Sequence, residues 1–137
     1  MDFTLHHPNA VAPTKAHDAD AGLDVYALCN FIIPPGCRVT HPLGITCNIE
    51  PGHALLVQER SGMAFRKGVM TIGNVIDSGY EGKLHVCLVN LDPSNEVRIN
   101  QGDRIAQLVL IKLGDTSNFN PVSTSRRCED GYGSSGV

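Results

Sequence analysis

A carboxylate, a glycine-rich turn and a tyrosine follow one another in the stretch GNVIDSGYEGKL, residues 73–84. Asp77 comes directly after an apolar pair, and Tyr80 follows it three residues later. A carboxylate at the mouth of a pocket can hydrogen-bond a water molecule and act as a general base. Aspartate is also common in turns without any catalytic role. This stretch alone therefore leaves two interpretations open, a general base and a turn aspartate beside a rim tyrosine.

A second stretch with binding chemistry, ERSGMA (59–64), follows the apolar run HALLVQ (53–58). It brings together a guanidinium group at Arg60, a hydroxyl at Ser61 and backbone N–H groups, which suit the binding of an anion. The alternative for Arg60 is a plain surface charge. We also predict one short helical turn over residues 61–67, with Ser61 as its cap.

Two further polar positions interrupt apolar runs. Asp24 begins such a run within AGLDVYA (21–27), where an aspartate that merely enters a strand from a turn is the alternative. Within GDRIAQLVL (102–110), Gln107 could donate a hydrogen bond to a phosphate oxygen. Arg104 interrupts the same run, and a surface pair with Asp103 or another carboxylate would account for it while stabilising the fold only weakly.

The chain finishes with CEDGYGSSGV, directly after Arg127. Small, flexible residues at a terminus are usually disordered, so composition alone favours a tail without a function. A lid that closes over a ligand is the alternative.

Short apolar runs separated by turn residues must position these groups. The run KLHVCLVNL (83–91) alternates with the two-residue period typical of strands. With 14 Gly, 8 Pro and no long amphipathic helical pattern, the sequence favours an all-β sandwich, jelly roll or barrel. A hairpin is predicted from TIGNVI to KLHVCL, residues 71–88. The other apolar runs lie within residues 23–28, 31–36, 44–52, 53–58, 97–99 and 104–113.

Composition narrows the class of protein. A length of 137 residues predicts one domain. A net charge of −3 and an aromatic content of 5% without Trp argue against a stable grip on nucleic acid or a base-stacking platform. The five cysteines show no zinc-site spacing, so we predict buried free thiols and a reducing cytosol. No secretory signal, membrane span or membrane partner is expected.

The five stretches, in this order and at these separations, resemble the motifs of the homotrimeric dUTPase family. The resemblance runs from about Pro13 to Gly136. It implies an all-β, distorted jelly-roll or β-clip barrel over residues 1–113. It also implies a flexible C-terminal arm, residues 114–137, that is exchanged between the subunits of a homotrimer with shared active sites.

The implied activity is hydrolysis of dUTP to dUMP and diphosphate, which keeps uracil out of DNA and supplies dUMP for dTMP synthesis. Asp77 matches the residue that activates water for attack on the α-phosphorus. Tyr80 matches the aromatic that packs on the deoxyribose and excludes a 2′-hydroxyl. The hairpin main chain would read uracil through Asn74, Val75, Ile76 and His85.

The phosphate-binding motifs carry over as well. Arg60, Ser61 and Gly62 match a phosphate-binding turn, and Gln107 matches a phosphate-contacting amide. Asp24 matches a carboxylate that holds Mg²⁺ only through water, because the family's Mg²⁺ is bound mainly by the triphosphate. In the arm, the residues that would contact dUTP are Arg127, Tyr132, Gly133, Ser134 and Ser135.

Some positions depart from the family pattern. Gly79 stands where a second acid is frequent before the tyrosine, and Asn74 replaces a common glycine. Cys128 and Asp130 occupy positions where glycines are frequent. The rival hypotheses are a dCTP deaminase of the same superfamily, a nucleotide-binding protein without catalysis, and a structural jelly roll. The expected location is the cytoplasm, or the host cytoplasm or nucleus for a phage or viral protein.

Overall fold

The computed structural model describes residues 1–122, which form eleven strands and one short helix. The prediction of an all-β fold is confirmed. The elements are β1 Asp2–Leu5, β2 Leu23–Tyr26, β3 Phe31–Ile33, β4 Arg38–Pro42, β5 Ile45–Asn48, β6 His53–Gln58, α1 Ser61–Lys67, β7 Val69–Ile72, β8 Val75–Asp77, β9 His85–Asn90, β10 Val97–Ile99 and β11 Arg104–Lys112.

The strands of the described part pair antiparallel in four small sheets. The largest has the order β2-β11-β6-β8, and a second has the order β4-β9-β7. Two pairs, β1-β5 and β10-β3, complete the set. Neighbours in a sheet are mostly distant in sequence, so the chain crosses repeatedly between sheets, as in a sandwich or barrel.

The core lies between these sheets and is built from alternate residues of each strand. In β9 every second side chain is buried, which confirms the alternation predicted from the sequence. The side chains of Ile33, Leu55, Leu88 and Ile105 have an exposure of 0%. Burial of such side chains contributes roughly 1.5–3 kcal/mol each, which makes this core the main source of stability.

Helix α1 occupies the predicted residues, but the prediction that Ser61 caps it is wrong. Arg60 holds the N-cap position with an extended backbone, and no side chain caps the helix. Ser61 already lies inside the helix, so its hydroxyl does not have the geometry of a cap. Gly68 ends the helix in the left-handed conformation, with φ of 63°.

The predicted hairpin is confirmed in part. Strands β7 and β9 are antiparallel neighbours, with Ile72 facing Cys87. The segment between them does not extend the hairpin, because β8 pairs with β6 and Asp77 faces Ala54. The chain leaves β7 at Gly73, whose φ of 68° is a conformation that side chains other than glycine rarely adopt.

The described cysteines are free, but only some are buried. Cys47 is buried and Cys87 is half-buried, whereas Cys29 and Cys37 are exposed. The prediction of buried thiols is therefore wrong for the two cysteines that lie in the loops around β3. Burial raises the pKa of the Cys47 thiol above its usual value. Cys128 lies outside the described residues.

Residues 1–122 contain no helix that is long and apolar enough to cross a membrane, since α1 has only seven residues.

A buried histidine fastens β4 to the start of the loop after β2. His41 is 3% exposed, its ring stacks on Phe31 with centroids 4.1 Å apart, and its Nε2 accepts a hydrogen bond of 2.8 Å from the backbone N–H of Leu28. This bond requires an unprotonated Nε2. Burial, and then the neighbouring His85 ring, lower the pKa of His41.

The lowered pKa of His41 predicts a loss of stability in mild acid. Below about pH 6.5 the unfolded chain takes up a proton at this residue that the folded chain does not. The free energy of unfolding should therefore fall as the pH drops, until the pH reaches the pKa of His41 in the folded state. Urea denaturation at pH 7.5 and 5.5, at one protein concentration, measures the difference.

His41→Gln should reduce this pH dependence, although the lost stacking on Phe31 lowers stability at both pH values. The control His17→Gln, at an exposed loop position, should keep the wild-type dependence. An unchanged pH dependence in His41→Gln would contradict the prediction.

Candidate active site

One cavity forms beside β8 and the turn that follows it. It has a volume of about 190 Å³ and contains the predicted Asp77 and Tyr80. It is lined by Val75, Ile76, Asp77, Tyr80, Leu84 and His85. We call this cavity the hairpin pocket. Apolar walls with a few polar groups at the edge are typical of a small-molecule site.

The tyrosine of the hairpin pocket is held by the backbone. Its N–H donates to the carbonyl of Asp77 over 3.1 Å, and its hydroxyl donates to the carbonyl of Lys83 over 3.0 Å. The same Lys83 carbonyl accepts from Nδ1 of His85 over 3.0 Å, which places the proton of His85 on Nδ1. One main-chain oxygen thus orients two side chains of the pocket.

The position of Tyr80 also depends on the small size of Gly82. A Cβ atom at residue 82 would lie 2.6 Å from Cζ of Tyr80. Such an approach is impossible without moving the ring. Gly82 was not recognised as a site residue from the sequence, and the only available signal was its position two residues after the tyrosine.

Asp77 stands at the edge of the hairpin pocket. It ends β8, opposite Ala54 of β6, and it is exposed. Its carboxylate makes no hydrogen bond to any side chain or backbone group of the described residues. The carboxylate is therefore available to a water molecule or a ligand, as a general base requires.

A second cavity, of about 240 Å³, lies between β2, β11 and the start of α1. We call it the arginine cavity. It brings together four of the predicted residues, Asp24, Arg60, Ser61 and Gln107, with Arg104. It is also lined by Ala16, Asp20, Ala21 and Gly22.

An ion-pair network centred on Asp24 organises the arginine cavity. Nε of Arg60 donates to Oδ1 over 2.7 Å, and Nη1 of Arg104 lies 3.4 Å from Oδ2. Asp24 is 14% exposed, Arg60 27% and Arg104 48%. The expected pairing of the exposed Arg104 with a carboxylate is confirmed, and its partner Asp24 lines a candidate binding cavity.

Gln107 is fixed by strand register and by a missing side chain. It faces Gln58 of β6 on one side and Asp24 of β2 on the other. Its Nε2 donates to the carbonyl of Glu59 over 3.0 Å. A Cβ atom at residue 22 would come within 2.7 Å of Oε1 of Gln107, so Gly22 is required for this arrangement.

Glu59 braces the backbone that leads to Arg60. Its Oε2 accepts a hydrogen bond of 3.0 Å from the hydroxyl of Thr71, a buried residue of β7. A hydrogen bond from its own backbone N–H, together with those from Thr71, lowers the pKa of Glu59 despite partial burial. Sequence inspection did not single out Glu59, since the partner in β7 is visible only in the fold.

Three predicted residues lie outside the two cavities or are largely exposed to solvent. Gly62 lies within α1 and does not line the arginine cavity. Asn74 does not line the hairpin pocket. Its carbonyl accepts from the N–H of Val57 over 2.8 Å, and its Oδ1 is buried without a partner among the described residues. Val75 lines the pocket but is 64% exposed.

The remaining predicted contacts lie in the C-terminal arm. Arg127, Tyr132, Gly133, Ser134 and Ser135 fall outside the described residues, and their roles stay predictions. The division of the chain at residues 113 and 114 is likewise a prediction. Strand β11 ends at Lys112, and residues 113–122 form no strand or helix.

The surroundings of Asp24 are compatible with contact to a metal ion through water, as the resemblance implies. Both carboxylate oxygens are engaged by guanidinium groups, so direct coordination would require one ion pair to break. Within residues 1–122, no group of three or more His, Cys, Asp or Glu side chains is placed to hold a metal ion. Contact through water, as expected for Asp24, needs neither rearrangement nor further ligands.

Known proteins resemble this chain over most of its length. A family model described as dUTPase matches residues 8–136. The deoxyuridine 5'-triphosphate nucleotidohydrolase of Mycobacterium marinum is 40% identical over 138 residues, covering 94% of this chain and 90% of that protein. The enzyme of the same name from Corynebacterium glutamicum is 40% identical over 128 residues, covering 90% and 86%.

Solved structures show the same architecture. The Staphylococcus bacteriophage 80alpha dUTPase with dUPNHPP aligns with a TM-score of 0.83 and 26% identity, covering 99% of this chain and 98% of that one. A mutant dUTPase from phage phi11 of S. aureus, described for its coordination of a structural Mg(II) ion, aligns with a TM-score of 0.82. Its 21% identity and its coverage of 90% and 97% support the likeness of fold alone.

The chain belongs to the dUTPase family. The predicted resemblance and the jelly-roll β-barrel are thereby confirmed, and the activity is that of a dUTP-hydrolysing enzyme.

Gly82→Ala should weaken the use of dUTP, because the added methyl group displaces the Tyr80 ring. The cost of moving a side chain off its preferred rotamer predicts a rise in KM of about two- to tenfold. Steady-state kinetics with dUTP measures it. The matched control is Gly79→Ala in the same turn, where a Cβ atom would meet nothing within 4 Å. Equal kinetics for the two variants would contradict this role of Gly82.

Proposed function

We propose that Asp77 acts as the general base in the hydrolysis of dUTP. The observation that carries this proposal is the exposed Asp77 carboxylate at the edge of the hairpin pocket, which makes no hydrogen bond within residues 1–122. Asp77 removes a proton from a water molecule, whose oxygen forms a bond to the α-phosphorus. The bond from that phosphorus to the bridging oxygen breaks, and dUMP and diphosphate leave as products.

In this proposal the hairpin pocket holds deoxyuridine. The ring of Tyr80 packs against the sugar and leaves no space for a 2′-hydroxyl. The main chain around Asn74, Val75, Ile76 and His85 reads the base and rejects cytosine and thymine, since hydrogen bonds built for one base are lost with another. The network on the Lys83 carbonyl supports this assignment, because it holds Tyr80 and His85 in fixed orientations.

The arginine cavity holds phosphate in the same proposal. Arg60, Ser61 and Gln107 bind phosphate oxygens, with Gly62 in the turn. The terminal nitrogens of Arg60 make no hydrogen bond to the described residues, which leaves them for a ligand. When Mg²⁺ is bound by the triphosphate, it neutralises part of the phosphate charge and supports in-line attack. Asp24 would contact the ion only through water.

We propose that each active site is shared between subunits of a homotrimer. Asp77 faces Ala54 near the start of β6, whereas Gln107 faces Gln58 at its end. Four strand residues span about 14 Å, and Arg60 lies two residues farther along. A general base must lie within hydrogen-bond reach of its water. The hairpin pocket and the arginine cavity of one chain are therefore too far apart to act on the same phosphate group. The hairpin pocket of one subunit and the arginine cavity of a neighbouring subunit would together form one active site.

An apolar sheet surface offers a contact for such an assembly. On the outer face of β7, Met70 and Ile72 are 37% and 36% exposed, and they face the half-buried Val89 and Cys87. Exposed apolar patches often mark protein interfaces. The C-terminal arm would then close over the bound nucleotide, with Tyr132 on uracil and Arg127, Ser134 and Ser135 near the phosphates.

The biological role proposed here is to keep uracil out of DNA and to supply dUMP for dTMP synthesis. The free cysteines of the described part support a reducing compartment. We therefore propose the cytoplasm as the location, or the host cytoplasm or nucleus if the chain comes from a phage or virus.

Asp77→Asn should bind dUTP but lose most turnover, because an amide cannot accept the proton from water. General-base catalysis contributes roughly 10²–10⁴-fold, so kcat should fall by that factor while nucleotide affinity changes little. Diphosphate release and equilibrium binding of a non-hydrolysable dUTP analogue measure the two quantities. The control is Asp2→Asn, an exposed position in β1. A near-normal kcat in Asp77→Asn would exclude the general-base role.

Complementation between two inactive variants tests the shared site. Coexpression of Asp77→Asn chains with Arg60→Gln chains should form mixed trimers in which some sites hold both native residues. For residues drawn from two different subunits, random mixing completes about one quarter of the sites. Activity of the purified mixture is compared with that of each variant alone. If mixed assemblies stay inactive, one chain supplies both residues.

A further inference from the structure

Arg104 and Gln107 enter the arginine cavity together although their spacing should separate them. Residues three apart in a regular strand point to opposite faces of the sheet. The pairing of β11 with β2 is shifted between Arg104 and Ala106, so that Arg104 faces Tyr26 and Gln107 faces Asp24. This bulge adds one residue to β11 and returns Arg104 to the face of Gln107.

Arg104 balances the formal charge of the cavity. Asp20 and Asp24 supply two carboxylates, and Arg60 and Arg104 supply two guanidinium groups, so the formal charges of the lining residues cancel. Without Arg104 the cavity would carry one uncompensated negative charge.

The two arginines use Asp24 differently. Arg60 donates through Nε, and its two terminal nitrogens make no hydrogen bond to the described residues. Arg104 holds the other carboxylate oxygen and is the more exposed of the two. Asp24 is therefore fixed from one side by Arg104 while it orients Arg60 from the other.

We infer that Arg104 is a positioning residue for phosphate binding. It holds Asp24 in place, and Asp24 in turn presents the terminal nitrogens of Arg60 to the phosphates of dUTP. This inference rests on the proposed phosphate-binding role of the arginine cavity. The bulge in β11 is the structural device that brings Arg104 to its partner.

The test begins with Arg104→Gln in the full-length enzyme. Hydrogen bonds to charged groups are strong enough that loss of one well-placed contact predicts about a tenfold rise in KM for dUTP. Inhibition by diphosphate should weaken in parallel. Inhibition by deoxyuridine, which has no phosphate, should stay the same, whereas general damage to the fold would weaken all three.

A matched control is Arg98→Gln. Arg98 pairs with Glu96 at 2.9 Å and is 73% exposed, outside both cavities. Its kinetics should equal those of the wild type. Arg104→Lys retains the charge and should lie between wild type and Arg104→Gln. If Arg104→Gln does not fold, as judged by its melting curve, the same comparison is made with Arg104→Lys.

A double-mutant cycle with Asp24→Asn separates positioning from direct contact. If Arg104 acts through Asp24, Arg104→Gln should change KM by less than about twofold once residue 24 is an asparagine. A full tenfold effect in that background would overturn the inference. An unchanged KM for Arg104→Gln in the native background would overturn it as well.

Arg60→Gln distinguishes failure of this inference from failure of the proposed function. If Arg60→Gln leaves KM unchanged, the phosphate-binding role of the cavity is wrong and Arg104 has nothing to position. If Arg60→Gln raises KM and Arg104→Gln does not, only the inference about Arg104 is wrong.

Discussion

The two-sided pairing of β6 is the constraint on which the rest of the site depends. On one edge β6 pairs with β11, and on the other with β8. These hydrogen bonds fix Asp77 near one end of the strand and Gln107 at the other. A slip of one residue in either ladder would turn every side chain of that strand to the opposite face. The positions of Asp77 and of Gln107 are therefore set by backbone register.

Strand register does not by itself fix the side chains of the two cavities, and close packing against glycines positions two of them. Gly82 makes room for the ring of Tyr80, and Gly22 makes room for the amide of Gln107. In both cases the glycine is needed for the space beside a functional side chain. The backbone at these two residues does not require the left-handed conformation, which glycine provides instead at Gly73, where the chain turns from β7 into β8.

Much of the scaffold could be predicted because its signals are local. The alternation in β9 and the apolar runs between turn residues identified strands without knowledge of their partners. Strands β1 and β4 were not predicted. In β4, RVTHP contains one buried side chain, His41, whose burial depends on a backbone N–H near β2 and on a ring in β3. Such long-range partners leave no periodic pattern in the sequence.

The residues of the candidate site also fall into two groups, those in local sequence motifs and those that depend on distant partners. Asp77, Tyr80 and Arg60 stand in short motifs with recognisable chemistry, and the fold places each of them at a cavity. Glu59 and Arg104 were not assigned a role, because their partners Thr71 and Asp24 lie in other strands. For Arg104 the regular strand period gives the wrong face of the sheet, since a bulge in β11 changes the face to which this residue points.

The carbonyl that orients Tyr80 and His85 belongs to Lys83, yet the lysine side chain takes no part in that contact. The orientation of Tyr80 and His85 therefore depends on the backbone carbonyl at position 83 and on the two side chains that donate to it. Replacement of the Lys83 side chain should therefore leave this hydrogen-bonded arrangement intact. The Lys83 side chain is exposed, so the same position can adapt to solvent or to a neighbouring molecule independently of catalysis.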